Sequence, residues 1–255
     1  MAAAVLKIDA RRTKILEILD QEGRVTVAQL SQMLGATPVT IRSDLDALEA
    51  SGYLDRIPGG AMPKTRMQPQ MPGIRNLPQK QVIAAAAAEA IHDGDTLFMN
   101  SGTTTREVAL ALKKHRNLSV VTNSIAVASE LSGTPTFRVI LLGGEVNAQY
   151  GFTCGGDAQE QMRKYKADYA ILSLDGVSAE DGLTTYHADE AIIDRIMAER
   201  SKQTIIVADH SKIGYGGFSM IGPLTETQIL ITDSGADPQV LEAIREAHMQ
   251  VICAD

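Results

Sequence analysis

The stretch Thr96-Leu97-Phe98-Met99-Asn100-Ser101-Gly102-Thr103-Thr104-Thr105-Arg106-Glu107 decides how the larger part of this chain folds. An apolar run stops abruptly at an amide, hydroxyls and a glycine, and the sequence then resumes with helical spacing. The segment therefore reads as strand, loop and helix. Residues Ser101 to Thr105 offer backbone N–H groups and hydroxyls at a helix N-terminus, whose partial positive charge favours a phosphate or a carboxylate. A plain helix cap accounts for the same hydroxyls. It is not a Walker loop, because the GxxxxGK[ST] spacing is absent.

The same unit recurs outward from there. β-rich apolar runs at Thr96–Met99, Leu118–Val121, Phe137–Leu142, Ala167–Leu174, Thr204–Ala208, Gln228–Ile231 and Gln250–Cys253 alternate with helical stretches near 80–91, 104–114, 124–131, 157–165, 187–200 and 237–247. This alternation predicts an α/β domain with a mostly parallel, helix-covered sheet. Ligands of such sheets sit beyond the carboxyl ends of the strands. Those ends read Asn100-Ser101-Gly102-Thr103, Thr122-Asn123, Gly143-Gly144, Asp175-Gly176, Asp209-His210-Ser211-Lys212 and Asp233. Glycines permit close backbone approach, hydroxyls suit an anion, Asn123 and Asp175 suit sugar hydroxyls, and Lys212 neutralises a phosphate. Asp175, Glu190 and Lys212 form either an acid–base set beside a carbonyl or a hydrogen-bonding set for a ligand that is never turned over. His187 and His210 match no metal spacing, so no metal or cofactor is expected, and Cys154 is read as a buried thiol.

Upstream, Met62 to Pro78 holds Pro63, Pro69, Pro72 and Pro78 and has neither periodicity. It is expected to be an extended connector, with a linker at 63–78 between a head, 1–62, and a body, 79–255. In the head, Arg12 to Asp20 places Ile15, Leu16 and Leu19 on one helical face, and Gly23 ends that helix. Thr26 and Gln29 form a capping box for a second helix carrying Val27, Leu30 and Leu34. Gly35-Ala36 turns the chain. Thr37 caps a third helix with Pro38 at its first position, and Ile41, Leu45 and Leu48 give its buried stripe. Two short helices across a tight turn form a helix-turn-helix, which lays its second helix in the DNA major groove. Val39 and Ser43 then face away from the stripe with Thr40 and Arg42 on its flanks, and these four join Thr37 and Pro38 as candidates for base edges and phosphates. Tyr53 to Ile57 followed by Pro58-Gly59-Gly60 reads as a β wing, with Arg56 in reach of a phosphate. A purely structural three-helix bundle fits the same spacing.

Totals bound these readings. A chain of 255 residues with 44% hydrophobic residues, 4% aromatics and no Trp has room for a small and a large domain with aliphatic cores. The net charge of −7 is uneven: residues 1–66 hold nine Lys/Arg against eight Asp/Glu, a net of +1, leaving −8 on the remainder. Two distant cysteines, no cationic-then-apolar leader and no run near ~18 apolar residues predict a cytoplasmic protein without a membrane span.

The run Arg12-Thr-Lys-Ile-Leu, Gly23-Arg-Val-Thr-Val, Gln29-Leu-Ser, Thr40-Ile-Arg-Ser-Asp-Leu-Asp-Ala-Leu-Glu, Gly52-Tyr-Leu-Asp-Arg and Gly59-Gly-Ala resembles, in order and spacing, the winged head of DeoR-family bacterial transcriptional repressors. That family usually has a second basic residue where Ser43 stands and commonly a histidine where Pro58 stands. Asn100-Ser-Gly-Thr-Thr, Thr122-Asn, Gly143-Gly, Ser173-Leu-Asp-Gly-Val, Gly182-Leu-Thr-Thr, Asp189-Glu190-Ala and Ala208-Asp-His-Ser-Lys212 resemble the effector domain of the same family, which is similar to sugar-phosphate isomerase and CoA-transferase folds. Asn100 replaces the usual aspartate. The resemblance implies a repressor of a carbohydrate-metabolism operon that binds double-stranded operator DNA as a dimer or tetramer, with Arg56, Gly59 and Gly60 on the wing. It implies a phosphorylated sugar held by Asn100, Ser101, Gly102, Thr103, Thr104, Asn123, Gly144, Asp175, Gly176, Thr184, Glu190 and Lys212, and no enzymatic activity. The alternative is an active sugar-phosphate isomerase with an N-terminal extension.

Overall fold

A computed structural model describes residues 11, 12, 14–16, 18, 19, 24–50, 54–57, 59–63, 75–148, 150–225 and 227–255. It divides into two compact units, Met1–Gln68 and Pro69–Asp255. In the first, helical residues between 11 and 19 bury Ile15, Ile18 and Leu19. Leu16, expected on that inward face, is only half-buried, and Ile18 takes its place. Strand β1 (Val25–Thr26) runs into α1 (Val27–Leu34) through the expected capping box: Thr26 N donates to Gln29 Oε1 at 2.8 Å and Gln29 N to Thr26 Oγ1 at 3.2 Å. Gly35 ends α1 at φ 60, a conformation that side chains with a Cβ resist. The next helix, α2 (Pro38–Ala50), is capped by Thr37, whose Oγ1 accepts from Thr40 N at 3.2 Å. Its stripe of Ile41, Leu45 and Leu48 packs on Leu30, Val25 and Leu54. Strands β2 (Leu54–Ile57) and β3 (Gly60–Pro63) form the wing, with β3 between β1 and β2, all antiparallel.

Seven parallel strands make the sheet of the second unit: β4 (Thr96–Met99), β5 (Ser119–Thr122), β6 (Arg138–Leu141), β9 (Ala167–Leu172), β12 (Ser201–Val207), β14 (Gln228–Asp233) and β15 (Gln250–Ala254). Their order is β15-β14-β12-β9-β4-β5-β6. Each of the seven expected runs supplies one of them. From β4 the chain adds strands in one direction, β5 then β6; from β9 it adds them in the other. The switch point thus lies between the ends of β4 and β9, where open α/β sheets leave a crevice.

Period-two alternation sends successive residues to two aliphatic layers. Leu97, Met99, Ile171, Ile205 and Val207 face a layer with α3 (Leu77–Glu89), α4 (Thr103–Leu112) and α5 (Ile125–Ser132), whereas Phe98, Ala170, Leu172 and Ile206 face one with α6 (Gly155–Met162), α7 (Ala188–Glu199) and α8 (Pro238–Glu246). Every one of the six helices lies within three residues of its expected place.

The structure differs from the sequence reading in two further places. Pro63 belongs to β3, and Pro78 stands in the first turn of α3, where its missing N–H costs nothing, so both ends of the expected linker are structured. Residues 64–74 of that linker lie outside the described residues. Five short antiparallel strands were not expected: β7 (Glu145–Asn147) with β8 (Phe152–Cys154), and β10 (Gly176–Ser178) with β11 (Gly182–Thr185) and β13 (Ser219–Gly222). Runs of three or four residues bounded by glycine carry too little alternation to announce a strand.

Candidate functional site

The crevice is built first by Gly102. Its φ of 150 belongs to glycine, and a Cβ there would lie 1.9 Å from Ser173 Oγ, so only glycine lets the β4 loop pass the β9 loop and start α4 at Thr103. Gly176 meets a similar constraint, since a Cβ would stand 2.3 Å from Tyr215 O. With the loops so placed, a chain of hydrogen bonds crosses the switch point. Ser101 Oγ donates to Glu190 Oε1 at 2.8 Å. Thr185 Oγ1 stands 2.8 Å from Glu190 Oε2 and 3.0 Å from Asp175 Oδ2. Lys212 Nζ donates to Asp175 Oδ1 at 3.1 Å. One hydroxyl proton on Thr185 serves one carboxylate at a time. Burial, reinforced by the nearby charge of Asp175, pushes the Glu190 carboxyl above the usual range, against the hydrogen bonds from Ser101 and Thr185.

A second cation comes from α3. Lys80 is 8% exposed; its Nζ donates to Thr103 Oγ1 at 3.0 Å and lies 3.7 Å from Asp209 Oδ2. Burial pushes its pKa down, and the charge of Lys212 pushes the same way. Asp209 is held below the usual carboxylate range: burial opposes this, but hydrogen bonds from Ser211 and Asn76 outweigh it. The N-terminus of α4 therefore has Thr103 at its first turn and Lys80 on Thr103, with Lys212 within electrostatic reach of Lys80 and each lysine beside a carboxylate, Asp209 and Asp175 respectively. Tyr150 packs against His187 with the rings tilted by 50° and their centroids 4.2 Å apart, and burial together with Asp175 and Glu190 raises its hydroxyl pKa.

Not every expected residue joins this network. Asn100 is fully buried behind the loop: its Nδ2 donates to Ser173 O and Asp194 Oδ2, and its Oδ1 accepts from Thr105 Oγ1 and Ser173 N. Its amide is spent inside the fold instead of facing a ligand. Thr184 uses its hydroxyl on Gly176 O and Gly217 N, whereas Thr185, its neighbour on the opposite face of β11, bridges the two carboxyls. Asn123 donates to Thr153 O, while its Oδ1 has no partner among the described residues. Thr104 is buried, and Gly144 packs against Cys154 O and Ala158. Lys80, Thr185 and Tyr150 escaped the sequence reading; a lysine at the head of the buried stripe Lys80, Ile83, Ala84, Ala87 was the available signal.

On the first unit, Thr37, Pro38, Arg42 and Ser43 are exposed, Val39 is 73% exposed and Thr40 is half-buried, giving α2 one free face at its N-terminal end. Gly59 is exposed and Gly60 buried. Arg56 is not free. Its Nε donates to Gly60 O at 3.1 Å and its Nη1 to Arg42 O at 3.4 Å, Nη1 also pairs with Asp46, and its own N–H donates to Glu49 Oε1 at 2.9 Å. Asp44, 2% exposed, is held by Arg11 and Arg12.

Comparison with known proteins bears on both the winged helix-turn-helix and the parallel-sheet unit. Residues 11–66 match the model of the DeoR-like helix-turn-helix domain, and residues 75–234 match the DeoR C-terminal sensor domain. The chain belongs to the DeoR family. Relatives of this DeoR-family chain include a putative aga operon transcriptional repressor of Escherichia coli O157:H7, 32% identical over 95% of this chain and 92% of that one. They also include the glycerol-3-phosphate regulon repressor of Escherichia coli K12, 30% identical over 96% and 99%. Among solved structures, ribose 5-phosphate isomerase A of Methanocaldococcus jannaschii aligns with a TM-score of 0.40 at 14% identity over 54% of this chain and 55% of that one. The DeoR-family chain is thus a transcriptional repressor by kinship, with a DNA-binding head and a sensor body, and not an enzyme. Among its described residues no three His, Cys, Asp or Glu are grouped to hold a metal, and no helix is long and apolar enough to cross a membrane.

Proposed function

We propose that this repressor controls a carbohydrate-metabolism operon in the cytoplasm and that a phosphorylated sugar, bound at the switch point, sets its affinity for operator DNA. The observation that carries the reading is Lys80, a buried lysine on Thr103 at the start of α4, with Lys212 nearby. The phosphate would sit on the Thr103–Thr104 N–H groups between the lysines, and Asp175, Glu190 and Asn123 would take the sugar hydroxyls. A relative named for a glycerol-3-phosphate regulon supports the phosphorylated class. Asn76 donates to Asp209 at 2.9 Å and Lys80 follows one turn later, so a phosphate pulling on Lys80 acts on the first turn of α3, directly after residues 64–74. That is the route by which occupancy would reach the head.

Operator contact falls to Thr37, Pro38, Val39, Thr40, Arg42 and Ser43. One short recognition helix reads few base pairs, so a dimer or tetramer on repeated half-sites is expected. The test is thermal unfolding against a panel of phosphosugars and their unphosphorylated counterparts, followed by gel shift on the chain's own upstream DNA with any stabilising compound. A ligand at 100 times its Kd adds about 2.7 kcal/mol to the folded state. If no phosphorylated sugar stabilises the protein beyond its free sugar, the effector reading falls.

A further inference from the structure

The C-terminal half of α7 borders a cleft of about 490 Å³ lined by Arg163, Ile192, Arg195, Ile196, Glu199 and Arg200. Three arginines converge there on a unit whose residues are net acidic. Two are fixed by backbone carbonyls. Arg195 donates from Nε to Ile221 O at 2.7 Å and from Nη2 to Met220 O at 2.8 Å. Arg200 donates from Nε to Tyr165 O at 2.6 Å. Each anchor uses one edge of a planar guanidinium and leaves other N–H groups unspent and already oriented. Arg163, at the C-cap of α6, has no side-chain partner among the described residues. The same holds for Glu199, so no carboxylate neutralises the three within 4 Å among the described residues.

Cations at helix C-termini are commonly explained by the macrodipole, and Arg163 and Arg200 both stand at such ends. That effect accounts for neither the clustering of three arginines in one concavity nor the anchoring of Arg195, which belongs to the middle of α7 and reaches to β13. Ile192, 40% exposed, and Ile196 give the cleft an apolar wall beside the cationic one.

We infer that this cleft is a second anion-binding site, separate from the switch point, for a small molecule bearing at least two anionic oxygens of a phosphate ester or polycarboxylate class and an apolar part. Its volume suits such a ligand, and guanidinium forks suit paired anionic oxygens. The helix that lines it also carries Glu190 in its first turn, so the cleft and the switch point share one element while lying on different parts of it. The inference does not rest on the effector reading.

The test uses the full chain and inorganic pyrophosphate as probe, with stoichiometry from titration calorimetry. Wild type is expected to bind two per chain and Lys80→Met one. Adding Arg163→Glu or Ile192→Glu to Lys80→Met should weaken that remaining site at least tenfold, with the unfolding midpoint unchanged for Ile192→Glu and lowered by only a few degrees for Arg163→Glu, which sets an anion at the end of α6. A Lys80→Met protein that binds no pyrophosphate, or that binds it equally well with either cleft substitution, overturns the second site. A wild type that binds one pyrophosphate, kept by Lys80→Met and lost with Arg163→Glu, retains the cleft and removes the anion from the switch point.

Discussion

Arg56 separates two ways in which a wing residue supports DNA binding. From sequence it is a phosphate contact. In the structure its guanidinium is spent on Gly60 O within the wing, on Arg42 O in the recognition helix and on Asp46, so it fixes the wing to α2. Consider Arg56→Ala. The pair with Asp46, whose side chain is 65% exposed, is screened and contributes well under about 1 kcal/mol. The two carbonyl bonds come from a charged donor, but one is long at 3.4 Å, so a combined loss of about 2 kcal/mol of wing docking is the expectation. That is roughly a thirtyfold fall in operator affinity per engaged head.

Salt discriminates the two roles. A lost phosphate contact lowers the slope of log K against log salt by ~0.9 per head, a further ~3.5-fold effect between 50 and 200 mM. A lost tether leaves the slope unchanged, because no counterion was being released. The assay is fluorescence anisotropy on labelled operator across that salt range with wild type, Arg56→Ala and Arg56→Lys. The structure predicts parallel salt lines for all three, with Lys failing to rescue because an ammonium lacks the fork that spans two carbonyls. A slope reduced by about one per head in the alanine variant and restored by lysine would refute the tether and return Arg56 to the phosphate.

Three further outcomes follow from the switch point. Lys80→Met should abolish stabilisation by whichever phosphosugar the wild type binds, while operator binding without ligand stays within about twofold, read by thermal shift and gel shift; retained stabilisation would place the phosphate elsewhere. Glu190 has a folded-state pKa raised above 4.5 by burial, so the folded form holds its proton more tightly than the unfolded one. Its contribution is fully present below the unfolded value and is lost as pH rises through the folded one, and Glu190→Gln should flatten the fall in unfolding midpoint above pH 4.5, leaving the part due to Asp194, which burial shifts the same way. An unaltered pH profile would mean that Glu190 is ionised in the fold. Gly102→Ala should cost about 1–3 kcal/mol in urea unfolding from φ strain alone, with more from the 1.9 Å approach to Ser173 Oγ; Ser173→Gly in the same chain should recover only the second part.

Why some of this was readable and some was not comes down to the range over which each residue's environment is set. The seven sheet strands and six helices of the body are dictated by near-neighbour alternation, and so is the capping box at Thr26, because both partners lie within one turn. Thr184 and Thr185 are indistinguishable by that logic. Which of them meets Glu190 depends on the face of β11 that turns toward α7, set by its pairing with β10 and β13 through pairs such as Gly176 with Thr184 and Thr185 with Ser219. Lys80 is a harder case, since its role needs α3 to lie across the start of α4, 23 residues on. The sequence carried a warning nonetheless. A lysine opening the stripe that Ile83, Ala84 and Ala87 continue must be buried, and a buried ammonium is tolerated only beside acceptors or an anion. Asn100 shows the converse: its position before the Ser-Gly-Thr loop suggested a ligand contact, yet four internal hydrogen bonds consume the amide. An effect of Asn100 on ligand choice would therefore have to pass through Asp194 and Ser173, by setting where α7 and the β9 loop stand.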